Sequence, residues 1–111
     1  VAGPTNAINP PAQASQQAAR AEMLRVLELG AFALVLDRAW DYMAVAPYNA
    51  LDAALAVAQT SGVARFGISA AEADAIIQRG SATATAFTRA NGKHSREGRA
   101  MVAAMKAIFE R

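Results

Sequence analysis

Between Pro11 and Pro47 the chain holds no proline and a single glycine, Gly30. Nothing else in the sequence restricts the fold as strongly. Proline inside a helix removes a hydrogen bond and clashes with the preceding turn, so this stretch is free to be helical from Ala12 onward. Leu24, Leu27, Ala31 and Leu34 recur at spacings of three, four and three, which sets them on one helix face. A helix continuing to Met43 would outrun the roughly twenty residues at which most globular helices stop. Gly30 costs about 1 kcal/mol against Ala in a helix, and it marks the point of an expected kink or of a close helix neighbour. Ala46-Pro47 is expected to end the segment, because the residue before proline avoids the helical region.

The rest of the chain is punctuated in the same way. Residues 1–9 carry Gly3, Pro4, Asn6 and Asn9 with one large apolar side chain, Ile8, and read as a flexible N-terminal arm. Asn9-Pro10-Pro11 suits a helix start. Asn49 reads as a cap with Asp52 at the third helical position, opening a helix to about Thr60 that Ser61-Gly62 closes through a left-handed glycine. Ser69-Ala-Ala-Glu72 is a capping box, opening a short helix through Ile76 and Ile77 that is expected to stop at Gly80. SATATAFTRA, 81–90, mixes strand-favouring Thr with helix-favouring Ala; with no partner strand in the chain, helix is the reading. Asn91-Gly92 is a turn, and Ser95 caps a last helix with Met101, Met105, Ile108 and Phe109 inward. The expected architecture is therefore all-α: a single small domain of four to five helices over 10–111, led by a long first helix, straight or kinked.

Thirty of the 111 residues are Ala, which favours helix but buries little area per residue. Without cysteine there is no disulfide, thiolate chemistry or Cys-based zinc site, and the cytoplasm and the periplasm both suit such a chain. The start, VAGPTNAINPP, lacks the charged head and apolar core of a signal peptide. LELGAFALVL, Leu27 to Leu36, is the most apolar run, about half the twenty residues of a membrane span, and contains Glu28. A soluble chain is expected.

Motifs that would carry catalysis fail one by one. Gly67-Ile-Ser69-Ala-Ala71 lacks the final glycine of a nucleophile elbow and the large α/β sheet that motif needs, and Ser69 already serves as a cap. Asn91-Gly-Lys93-His94 lacks the first glycine and the Ser or Thr of a phosphate loop; Phe87 and His94 stand there instead. His94 has no carboxylates at ligand spacing and reads as a turn residue facing solvent. Asp37 and Asp41 share a helix face at i, i+4 beside Arg38, a pattern that fits a solvated stripe better than an acid–base pair. The sequence thus offers no catalytic residue, no cofactor site and no metal site.

Two kinds of surface remain as candidates, apolar and basic. Leu24, Leu27 and Leu34, with Met23, Val26, Leu29, Phe32, Val35 and Leu36, make the first helix apolar nearly all round, and such a helix must be covered on every side. Trp40, Tyr42 and Tyr48, with Met43, read first as a packing hub and second as an interface or a small-molecule pocket. The other surface is basic. Residues 65–111 carry eight basic and four acidic side chains, against three and five in residues 1–64. Arg89, Lys93, Arg96 and Arg99 cluster around Asn91-Gly92. A helix-turn-helix needs apolar residues where Ser81, Arg79, Asn91 and Lys93 stand, so a solvated corner is the first reading and weak contact with nucleic acid or another polyanion the second. The functional expectation is a non-catalytic helical binding or assembly subunit whose partner is a protein, itself foremost. The alternatives are nucleic-acid association through the basic C-terminal third and small-molecule binding at the aromatic cluster.

Overall fold

A computed structural model describes residues 3–110, with side chains from Gln13 to Glu110. Four α-helices follow in order: α1 (Gly3–Trp40), α2 (Val45–Ser61), α3 (Ala70–Ala90) and α4 (Arg96–Phe109), with one 3-10 turn at Ala64–Phe66. This is the small all-α domain with a long first helix that the sequence predicts. The arm expected over residues 1–9 lies outside the residues whose side chains are described.

Helix α1 is the spine. On one side Leu27, Ala31 and Leu34 pack with Leu55 and Ala58 of α2 and with Ile68, Ala73 and Ile77. On the other, Phe32, Ala33 and Leu36 meet Met43, Ala84 of α3 and Met105 of α4. An apolar girdle is what a central helix requires, and the chain supplies most of the cover itself. Val26, 37% exposed, is the large apolar residue of the girdle that stays at the surface.

Small residues set the helix spacing. The buried face of α3 is Ala73, Ile77, Gly80 and Ala84, at spacings of four, three and four. A Cβ at Gly80 would collide with the Glu28 carbonyl oxygen and sit 3.1 Å from the Ala31 Cβ. Gly80 therefore does not stop the helix as the sequence suggests; α3 runs through it, because the backbone of α1 occupies the place of the missing side chain. The ATATA segment is helical as expected. Gly30 has α2 as its close neighbour: a Cβ there would lie 3.0 Å from Leu51 Cδ1 and 3.5 Å from Leu55 Cδ2.

The end of α1 also departs from expectation. The helix stops at Trp40, short of Met43, and Asp41 follows with φ 50°. The Asp37 carboxylate accepts from the Tyr42 amide at 2.9 Å and the Met43 amide at 2.6 Å, so it closes the turn by satisfying two backbone donors. Pro47 ends nothing; it is the third residue of α2. A proline is tolerated there because the first four amides of a helix have no intrahelical partner. The cap expected at Asn49 falls inside α2, whose N-cap is Ala44, accepting from the Tyr48 amide at 3.1 Å.

Other signals hold in place. Gly62 ends α2 as expected, with φ 68° but ψ −165°, an extended glycine conformation rather than the left-handed helical one. Ser69 caps α3, accepting from the Glu72 amide at 3.1 Å, while the Glu72 carboxylate pairs with Arg20 rather than closing the box. Ser95 caps α4, accepting from the Gly98 amide at 3.0 Å. In α4, Met105 is buried and Met101 and Phe109 pack against the core, but Ile108 is 37% exposed rather than inward. Among the described residues no helix is long and apolar enough to cross a membrane.

Candidate functional site

Trp40 and Phe32 both pack tilted against Phe87 of α3, each with ring centroids 5.9 Å apart. The Tyr42 hydroxyl donates to the Ala33 carbonyl at 2.9 Å. Burial first, and the negative charges of Asp37 and Glu110 after it, push the Tyr42 phenol far above its ordinary value. Tyr48 accepts from Arg38 Nε at 3.1 Å. The polar ends of both tyrosines are thus engaged within the chain, and their rings lie against the second core cluster with Trp40. A groove of about 300 Å³ lined by Leu29, Phe32, Met101 and Met105, and an open cleft of about 790 Å³ beside Arg20 and Phe66, both lie away from Trp40, Tyr42 and Tyr48.

Of the apolar stripe on α1, Leu27 and Leu34 are 6% and 4% exposed, and Leu24 is half-buried against the same cluster. These three belong to the core. Asp37 and Asp41 do not form a stripe, because the helix ends between them and Asp37 faces the Tyr42 and Met43 amides. Among the described residues no three His, Asp or Glu side chains gather closely enough to hold a metal ion.

The structure sorts the charges. Arg20 pairs with Glu72, Arg25 with Glu22 at 2.7 Å, Arg38 with Asp52 at 3.5 Å, Arg79 with Glu28 at 2.9 Å and Lys106 with Glu110 at 3.8 Å. The Arg79 guanidinium holds the Glu28 carboxyl below its usual range. Arg65 lies over the Phe66 ring, 4.9 Å from its centroid. Among the described residues Arg89, Lys93, Arg96 and Arg99 make no ion pair. Arg89 closes α3, Lys93 sits in the turn, and Arg96 and Arg99 open α4. Arg89, Arg96 and Arg99 are exposed and Lys93 is half-buried, with His94 exposed between them.

Sequence reasoning missed one surface. From Val45 to Ser61, α2 carries a single charged side chain, Asp52. Its outer face leaves Val45 74% and Val57 61% exposed, with Ala46, Ala50, Ala53 and Ala54 also exposed. The signal was present in the sequence as the scarcity of charge in VAPYNALDAALAVAQTS. It was masked by the larger side chains of α1.

Compared with known proteins, the chain matches no family model, no curated protein and no solved structure.

Proposed function

We propose that this chain is a non-catalytic helical assembly subunit that pairs with a second copy of itself through the outer face of α2. The exposure of Val45 and Val57 on a helix with one charged residue supports the reading. A helix facing only water ordinarily carries charge on its outer side. Here alanines replace those charges, and small side chains let two helices approach closely. Asp52, the one charge, is drawn toward Arg38 of the same chain at 3.5 Å, so two such faces meet little like-charge repulsion. The association is assigned to α2 rather than to Leu24, Leu27 and Leu34, because α2, α3 and α4 already cover α1.

Sedimentation equilibrium over a concentration series tests it. The wild type is expected to shift toward dimer with concentration. Val57→Glu together with Ala53→Glu should leave a monomer with an unchanged helical circular dichroism signal. A wild type that stays monomeric throughout the series, or a double variant that still dimerises, overturns the proposal.

A further inference from the structure

We propose that the α3–α4 corner, continued along the outer face of α4, is a contact surface for the phosphate backbone of duplex DNA. The first support is where uncompensated charge lies. Five of the described cations are matched to carboxylates, and Arg65 rests on an aromatic ring. The remaining four fall between Arg89 and Arg99, with Glu97 as the one acid in that stretch.

The second support is rigidity. Gly98 is buried, and a Cβ on it would run into the Gly92 carbonyl oxygen, so the turn lies directly on the first turn of α4. Ser95 donates to that carbonyl at 2.7 Å while accepting from Gly98. Lys93 and Arg96 are therefore displayed from a braced turn, which lowers the ordering cost of binding.

The third support is the helix face. Arg96, Arg99, Ala103 and Lys106 follow at spacings of three, four and three, and all are exposed, although Lys106 also pairs with Glu110 at 3.8 Å and so adds less to the face than the two arginines. Arg96 and Lys106 are roughly 15 Å apart along the axis at 1.5 Å per residue. Ala between the cations allows a phosphate backbone close to the helix. Three of the four corner cations are Arg, whose planar fork grips phosphate oxygens in pairs.

Duplex DNA is favoured over a lipid surface because, apart from Ile108 near its end, α4 has spent its large apolar side chains on the core. Met101, Val102, Met105 and Phe109 pack inward, and residues 88–100 contain no large apolar side chain to insert. A surface that works by charge alone follows counterion release and is weak at physiological salt.

The test is fluorescence anisotropy of a short labelled duplex against the full chain, between about 50 and 200 mM salt. The logarithm of the binding constant should fall with the logarithm of salt, with a slope of about −0.9 per phosphate neutralised, reaching roughly −3 to −4. Changing Arg89, Lys93, Arg96 and Arg99 to Gln should remove most of that slope and at least about tenfold in affinity at the lowest salt. Arg25→Gln with Arg65→Gln should leave most of it. In the wild type, amide shifts on adding duplex should centre on residues 89–99, a readout independent of any variant's folding. Equal losses from both variants, shifts centred elsewhere, or binding to anionic vesicles but not to DNA would each overturn the proposal.

Discussion

Gly80 on α3 lies against the backbone of Glu28 on α1, so closely that no side chain fits between them. This approach fixes the spacing of the two longest helices, and the Glu28 and Arg79 side chains then meet beside it in a pair of 2.9 Å hydrogen bonds. Gly80→Ala should destabilise by about 1–3 kcal/mol through overpacking, outweighing the roughly 1 kcal/mol that Ala gains in helix propensity. Gly30→Ala meets only the movable Leu51 and Leu55 side-chain ends and should change stability far less. Urea unfolding of the two variants separates a backbone contact from a side-chain contact.

The same contrast shows what was legible beforehand. Helix existence and the caps at Ser69, Ser95 and Gly62 were readable because each is local: a side chain or a glycine acts on its own turn. The continuity of α3 was not, since the partner that makes Gly80 necessary is the Glu28 carbonyl, remote in the chain. The early end of α1 was hidden for a related reason. Asp37 looked like a solvated acid, and only the folded turn brings the Tyr42 and Met43 amides to it. The basic corner was visible as composition, but its contrast with the paired cations elsewhere is a property of the fold.

Asp37→Ala should cost about 1–3 kcal/mol, because two backbone donors lose their acceptor. At Asp41, φ 50° places a non-glycine residue in the left-handed region. Asn there should be tolerated, while a β-branched Val should cost about 1–2 kcal/mol. Thermal unfolding of the three variants orders them: Asn highest, then Val and Ala.

The Glu28–Arg79 pair has a defined pH signature. The folded state holds Glu28 below its ordinary value of 4.5, so the contribution is present above that pH and is lost as acid protonates the folded carboxylate. Arg79→Gln should lower stability at neutral pH, and the gap between the two proteins should narrow as pH falls below 4.5 and close once the folded Glu28 carboxylate is protonated. A gap independent of pH would assign the effect to packing rather than to charge.

Tyr42 behaves in the opposite sense. Burial raises the phenol above its ordinary value of 10.0, so the fold favours the protonated form. That stability is complete below pH 10.0 and declines as pH rises above it, where the unfolded chain ionises first. Tyr42→Phe should cost about 1 kcal/mol at neutral pH through loss of the bond to Ala33, and it should flatten the alkaline decline. Urea unfolding across the alkaline range reads both.

Helix α4 should open before the rest of the molecule. Its backbone stays farther from its neighbours than α1 and α3 stay from each other, so it is held by side chains: Met105, with Met101, Val102 and Phe109, and the Glu110 carboxylate at the Ala44 amide. An element with such attachments belongs to the low-stability end of a structure. Native-state hydrogen exchange should show α4 amides exchanging through a partial opening, while the central turns of α1 and α3 require global unfolding. Met105→Ala should cost about 2–5 kcal/mol in α4 protection. Ser95→Ala should cost about 1 kcal/mol, with the effect concentrated in the first turn, where the Gly98 amide loses its acceptor. If α4 instead exchanges with α1 and α3 as one unit, its side-chain anchors are worth as much as the glycine contact between the two long helices.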